Sequence, residues 1–198
     1  MTDRAPQTRL DAQMAFLIEA DRLKSILRAN ALCDGSRREN SGEHSWHVAL
    51  YALTLAEHAP EGVNTDRVIK MLLLHDLIEI DAGDAPIFGD YDAAALASAE
   101  AAAATRIFGL LPPDQAAGFR ALWDEFEASE TPDARFAKAL DRMQPPNQNL
   151  AADGGTWIAY KTEYDQFTAR VGSKIERGAP ALWAWLKPRV QAWFSTPH

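Results

Sequence analysis

The chain has 198 residues, 47% of them hydrophobic and 24% charged, with a mean hydropathy of −0.27. That balance excludes intrinsic disorder, which needs low hydrophobicity with high charge, and the length suffices for one domain with a sizeable core. Twenty Lys and Arg against 28 Asp and Glu give a net charge of −8, which argues against a binder of nucleic-acid polymers or anionic membranes and leaves open a small phosphate ligand held by local charge.

The polar opening MTDRAPQTRLDAQ lacks the apolar core of a secretory signal, and no run of about 18 apolar residues follows it. With Cys33 as the single cysteine, no intramolecular disulfide can form. Both features suit a cytoplasmic protein. Phe16, Leu17, Ala20, Leu23, Ile26 and Leu27 recur at helical spacing, so the first helix runs up to Arg28. Asp34-Gly35-Ser36 separates it from a second helix, which starts near His44 and ends at Ala59-Pro60-Glu61-Gly62. Asn64 or Thr65 caps a third helix carrying Val68, Ile69, Leu72 and Leu73, whose apolar pattern continues past His75 and Asp76 to Ile80.

Asp81 to Asp90 is a loop rich in Gly, Pro and Asp, and the alanine-rich stretch Ala93 to Ala104 has helix-former composition. Pro112-Pro113-Asp114 and Thr131-Pro132-Asp133 each open a helix with proline in the first turn, and the second of these helices carries Asp141. Pro145 to Gly155 reads as a long loop, and Ala179-Pro180 opens a last helix with Leu182, Trp183, Leu186 and Val190 on one side. No segment alternates with period two over enough length to propose a strand. The expected fold class is all-α: a compact multi-helix bundle forming a single domain over residues 1–198, with helices over about 156–195 packing on the rest.

Chemistry concentrates in a few residues. His75 and Asp76 follow the apolar run Met71-Leu72-Leu73-Leu74, where an ionisable pair is costly to bury unless neutralised. A divalent cation neutralises imidazole and carboxylate together. Glu79 lies on the same helical face, three residues after Asp76, while His44 and Asp141 stand on other helices. Two His and two Asp form a mixed nitrogen and oxygen set that suits Mn, Fe, Co, Ni or Zn better than Ca. On a six-coordinate ion they leave two positions for water and a substrate oxygen, and a bound water of lowered pKa is a nucleophile near neutral pH.

The spacing His44, then His75-Asp76, then Asp141 resembles the HD superfamily of metal-dependent phosphohydrolases. Arg37-Arg38-Glu39-Asn40 followed by Glu43-His44-Ser45, and the run His75 to Pro86 with Glu79, Gly83 and Asp84 in place, are similar to its 5′-deoxynucleotidase-like branch. The resemblance covers roughly residues 16–145. It implies an HD-type all-α fold, with His44, His75, Asp76 and Asp141 as ligands of a divalent transition metal. It implies that Glu79 orients or deprotonates the attacking water, and that Asp84 holds that water or the leaving group. Arg28 matches the family's phosphate-contacting arginine; Arg37 supplies a second positive group or pairs with Glu43. Some relatives carry a bulky aromatic after the arginine, where this chain has Ala29. Two-metal relatives need histidines between the HD pair and the last Asp, and none occurs here, so one metal ion per chain is expected.

The implied activity is release of phosphate from (deoxy)nucleoside 5′-monophosphates by attack of a metal-bound water. Two alternatives stay open: hydrolysis of another small phosphorylated metabolite or phosphodiester, and non-catalytic nucleotide binding with a structural metal. Several residues have plainer readings. His47 supports the core or the ligands, His58 suits a helix C-terminus, and Cys33 is a small buried residue. The tryptophans read as core or as a homodimer surface before they read as base-stacking platforms.

Overall fold

The structure, a computed structural model, describes residues 8–196; the chain's first seven residues, at the start of the polar opening, lie outside them. In chain order it runs α1 (Arg9–Ala20), β1 (Leu27–Ala31), β2 (Arg38–Asn40), α2 (Ser41–Thr54), α3 (Thr65–Leu74), α4 (Glu79–Ala82), α5 (Ala93–Phe108) and α6 (Pro113–Ala128). There follow α7 (Pro132–Ala151), the short α8 (Thr156–Ala159) and α9 (Tyr164–Phe167), α10 (Ser173–Gly178) and α11 (Pro180–Phe194). No helix among the described residues is long and apolar enough to cross a membrane.

The sequence marks most helix starts correctly. Thr8 and Asp11 cap α1 reciprocally, Asn64 caps α3 and Thr131 caps α7, each side chain accepting an otherwise orphaned N–H. The first helix, however, ends at Ala20 rather than reaching Arg28. A tight 3-10 turn (Asp21–Ser25) follows, and Ile26 turns extended. Arg28 therefore lies on a strand. Strands β1 and β2 pair antiparallel, Leu27 opposite Asn40 and Ala31 opposite Arg38. The turn between them is Asp34-Gly35-Ser36: Gly35 has φ +68°, and Ser36 N–H donates to Asp34 Oδ1 at 2.9 Å. The Arg38 guanidinium donates to the carbonyls of Leu27 and Arg28 and ties the hairpin across. Strands this short show no readable alternation, which is why the pattern in the sequence fails to reveal them.

The expected loop from Pro145 is also overturned. α7 continues through Pro145 and Pro146 to Ala151. Each proline lacks the N–H that would have bonded the carbonyl four residues back, those of Asp141 and Arg142. The helix persists because its last two turns are buried at Gln144, Gln148 and Asn149 and held by side-chain hydrogen bonds.

One core cluster joins α2, α3, α7, α10 and α11 through residues such as Val48, Leu72, Phe136, Leu140, Ile175 and Leu186. A second lies among α1, α4, α5 and α6, around Phe16, Ile78, Ile107, Phe108 and Trp123. α10 presses on α7 at Gly178, where a Cβ would stand 2.0 Å from the Arg135 carbonyl oxygen, so only glycine permits this approach. Cys33 is exposed in the hairpin turn, against the expectation of burial. Of the tryptophans, Trp123, Trp157 and Trp183 are core, while Trp46 and Trp185 stand exposed.

Candidate metal and phosphate site

The site forms where the hairpin, α2, α3 and α7 meet. Asn40 caps α2, accepting from Glu43 N–H, and Glu43 reciprocates. Ser41 N–H donates to the Ile26 carbonyl at 2.9 Å, locking the helix start to the strand that bears Arg28. His44 thus sits in the first turn of α2, fully buried.

His75 and Asp76 do not lie within a continuing helix. α3 ends at Leu74, and His75–Ile78 form a 3-10 turn before α4. His75 Nδ1–H donates to the Leu72 carbonyl at 2.8 Å, the acceptor that a continuing α-helix would reserve for Asp76 N–H. After α4, Gly83 at φ +77° turns the chain so that Asp84 faces back.

These elements bring His44, His75 and Asp141 around one buried point, with Asp76 adjoining both imidazoles. Asp141 Oδ1 is 3.1 Å from His44 Nε2 and 3.7 Å from His75 Nε2. Asp76 Oδ1 is 3.0 Å from His75 Nε2, and its Oδ2 is 3.9 Å from His44 Nε2. His44, His75 and Asp141 each offer a donor atom within 4.8 Å of the others. His75 Nε2 is buried without a well-aligned hydrogen bond, although Asp76 lies near. Both imidazoles spend Nδ1 on a protein carbonyl and turn Nε2 to the shared point, the arrangement that metal-ligating histidines adopt. An orphaned buried nitrogen among carboxylates fits a divalent transition ion.

Arg28, Glu79 and Asp84 border the same point. Arg28 Nη1 donates to Asp76 Oδ2 at 2.9 Å and lies 3.5 Å from Asp84 and 3.6 Å from Glu79. Ser41 Oγ donates to Glu79 Oε2 at 2.5 Å. Burial opposes every charge here, and the neighbours decide which survive. The His75 and Arg28 cations hold Asp76 well below the usual carboxylate range despite its burial. Glu79 is pushed the other way, to about 9, by burial and then by the charge of Asp76. Burial likewise raises Asp84. The Arg28 guanidinium stays charged against burial because Asp76, Glu79, Asp84 and Asp141 surround it. Carboxyls with pKa values driven apart in one cavity are what acid–base chemistry requires.

Arg37 does not join the cluster. It is exposed and makes a bidentate pair with Glu43 at 2.6 and 2.8 Å on the outer side of the hairpin. Sequence reasoning assigned no role to Glu39, Gln144 and Gln148, which form a buried polar network behind His44. Their signal was present: Glu39 lies within the Arg37–Asn40 motif, and Gln144 and Gln148 follow Asp141 at three and seven residues on one face of α7. Asn30, Asn149 and Thr156, hydrogen-bonded to one another, line the cavity and also went unmarked.

Helices surrounding two buried histidines and two aspartates define an HD-type metal-site architecture. The HD-domain family model matches residues 20–183, and the chain belongs to that family. Its fold is therefore the all-α HD-domain bundle with one small hairpin. The crystal structure of a "Predicted metal-dependent phosphohydrolase" from Magnetospirillum magnetotacticum MS-1 superposes with a TM-score of 0.89, at 49% identity, over 94% of this chain and 96% of that one. The 5′-deoxynucleotidase HDDC2 of Danio rerio is 27% identical over 136 residues, 68% of this chain and 66% of its own length. A 5′-deoxynucleotidase of Erwinia tasmaniensis is 29% identical over 165 residues, 78% of this chain and 83% of its own. The chain thus spans slightly less than two thirds of the HDDC2 relative. The family match extends well past Asp141, so α8, α9, α10 and the start of α11, which carry no motif, are part of it.

Proposed function

We propose that the chain is a phosphohydrolase that holds one divalent transition-metal ion, drawn from Mn, Co, Fe, Ni and Zn, and releases phosphate from (deoxy)nucleoside 5′-monophosphates. The observation that carries this reading is a buried arginine, Arg28, paired with Asp76 beside a point on which the donor atoms of His44, His75 and Asp141 converge. Relatives named 5′-deoxynucleotidase support the substrate class.

His44, His75, Asp76 and Asp141 would hold the ion. When bound, it would supply positive charge to the phosphoryl oxygens and lower the pKa of water. Arg28 would donate its guanidinium N–H groups to the phosphate dianion, the local cation that a chain of charge −8 must provide. Glu79 would orient the attacking water and, once a bound cation offsets the burial that favours its neutral form, would take its proton, with Ser41 holding its Oε2 in place. Asp84 would hold the water or the leaving alcohol. Ala29 lines the cavity next to Arg28 and leaves room for a larger phosphomonoester, which favours breadth toward the sugar and base.

The exposed apolar residues Trp46, Leu50, Leu53 and Trp185 suit a homodimer, and the exposed free thiol of Cys33 suits the reducing cytoplasm. Light scattering separates the 21.8 kDa monomer from a species of twice that mass. The test of function is phosphate release from a panel of nucleoside 5′-monophosphates, sugar phosphates and dinucleotides with Mn or Co added. Chelator-sensitive turnover of the monophosphates is expected. Turnover that survives chelation, or an Asp76→Ala variant with full rate, defeats the reading.

A further inference from the structure

Behind His44, away from the cavity, lies a closed polar network. Glu39 is 1% exposed, and Gln144 and Gln148 are equally buried. Glu39 Oε1 accepts from Gln144 Nε2 at 2.8 Å and from Gln148 Nε2 at 2.8 Å. Gln144 Nε2 also lies 3.1 Å from His47 Nδ1, and Gln144 Oε1 lies 3.1 Å from His44 Nδ1. The remaining oxygen, Glu39 Oε2, makes no hydrogen bond and stands 3.5 Å from His44 Nδ1 and 3.9 Å from Arg28 Nε.

The donor and acceptor inventory makes this network directional. A carboxylate only accepts, so the end of Gln144 that faces Glu39 is its NH₂ group. The two amide protons then go to Glu39 and to the lone pair of His47 Nδ1. Gln144 has only its carbonyl oxygen left for His44, so Nδ1 of His44 carries the proton. With Nδ1 committed to Gln144, Nε2, which lies 3.1 Å from Asp141 Oδ1 and faces His75, is the nitrogen left to exchange its proton for an ion. A neutral residue at position 39 removes this compulsion, because the Gln144 amide can flip without losing a partner.

Resting on the metal-site reading above, we infer that Glu39 is a positioning residue: acting through Gln144, it fixes the tautomer and ring orientation of His44 so that Nε2 is the metal-binding atom. Glu39 touches neither substrate nor ion. Gln148 is the internal comparison, because it gives Glu39 an equal buried hydrogen bond and makes none to His44.

The experiment titrates Co²⁺ into wild type, Glu39→Gln and Gln148→Met by calorimetry, with circular dichroism confirming that each is folded. In parallel, the imidazole ¹⁵N spectrum is recorded for the metal-free and Zn²⁺-loaded proteins, with His44→Gln providing the assignment. Wild type is expected to bind one ion through His44 Nε2 with Nδ1 protonated. Glu39→Gln is expected to bind Co²⁺ about tenfold to a hundredfold more weakly and to show mixed His44 tautomers, while Gln148→Met stays within about threefold of wild type. Unchanged affinity in Glu39→Gln, or an equal loss in Gln148→Met, overturns the inference. So does coordination through His44 Nδ1 in wild type, a result that depends on no variant folding. A wild type that binds no ion defeats the metal-site reading instead, which keeps the two failures apart.

Discussion

Replacing Arg28 by Met keeps the length of the side chain and removes its charge. In the structure this guanidinium is, among the described residues, the one cation shared by Asp76, Asp84 and Glu79, at 2.9, 3.5 and 3.6 Å. Two consequences follow, and they are separately measurable. The first is kinetic: one charge-assisted hydrogen bond to a phosphate dianion contributes about 1.5–3 kcal/mol, so kcat/KM for a nucleoside 5′-monophosphate should fall about 10- to 150-fold. The second is structural. Breaking a buried ion pair from one side costs about 3–5 kcal/mol, and here the lower end applies, since Glu79 is already pushed toward its neutral form and adds no charge to the deficit. The metal-free variant should therefore unfold at lower urea than wild type, and Mn²⁺ should recover much of the difference. Arg37→Met is the comparison, because Arg37 is exposed and already paired with Glu43; its kcat/KM should stay within about twofold. The assays are phosphate release at saturating Mn²⁺ and urea denaturation with and without metal. The reasoning is refuted if Arg28→Met retains wild-type kcat/KM, or if Arg37→Met loses as much.

Stripping the ion should lower thermal stability: at a free metal concentration of about 100 Kd the ion contributes about 2.7 kcal/mol, which for a chain of this size is a Tm shift of roughly 5–10 °C, and scanning calorimetry with and without chelator measures it. An Asp141→Asn variant should lose most of that shift, because the single atom Asp141 Oδ1 lies 3.1 Å from one imidazole Nε2 and 3.7 Å from the other. Gly178→Ala should destabilise by about 1–3 kcal/mol in urea unfolding without altering Co²⁺ affinity, because its Cβ would drive α10 off the Arg135 carbonyl. The Arg67 guanidinium holds the Glu125 carboxyl below its ordinary range and also faces Asp133 at 3.8 Å. A lowered folded pKa stabilises above the unfolded value and is lost as pH falls through the folded one. The stability gap between wild type and Arg67→Ala should thus be at most about 1 kcal/mol near neutrality, the pair being partly exposed, and should close as urea midpoints are followed below about pH 4.

The candidate site was more legible than the backbone that builds it. His44, His75, Asp76, Asp141, Glu79 and Asp84 stand out because ionisable side chains next to apolar runs need a reason to be there, and that signal survives an error in secondary structure. Arg28 was singled out on a helix and is found on β1. Its residue type and spacing carried the information, whereas the hairpin rests on a Gly35 turn and on Arg38 bonding across to backbone carbonyls. Taken locally, Pro145-Pro146 means a break. Tertiary contacts from Gln144, Gln148 and Asn149 override that meaning and keep α7 helical. Glu39 escaped notice because its work is done through another residue's amide, which no spacing rule reports.

By itself, the order of residues determined that the chain is helical, where most helices begin, and which side chains are candidates for the chemistry. Capping and apolar periodicity act between near neighbours, and buried charge betrays itself wherever it occurs. Only the tertiary structure decided that Arg28 borders the candidate site while Arg37 faces outward, that α3 tightens at His75, and that Glu39 lies behind His44 with Gln144 between them. Each of these depends on partners tens of residues away, and the free energy that selects them exists only when those partners are packed together.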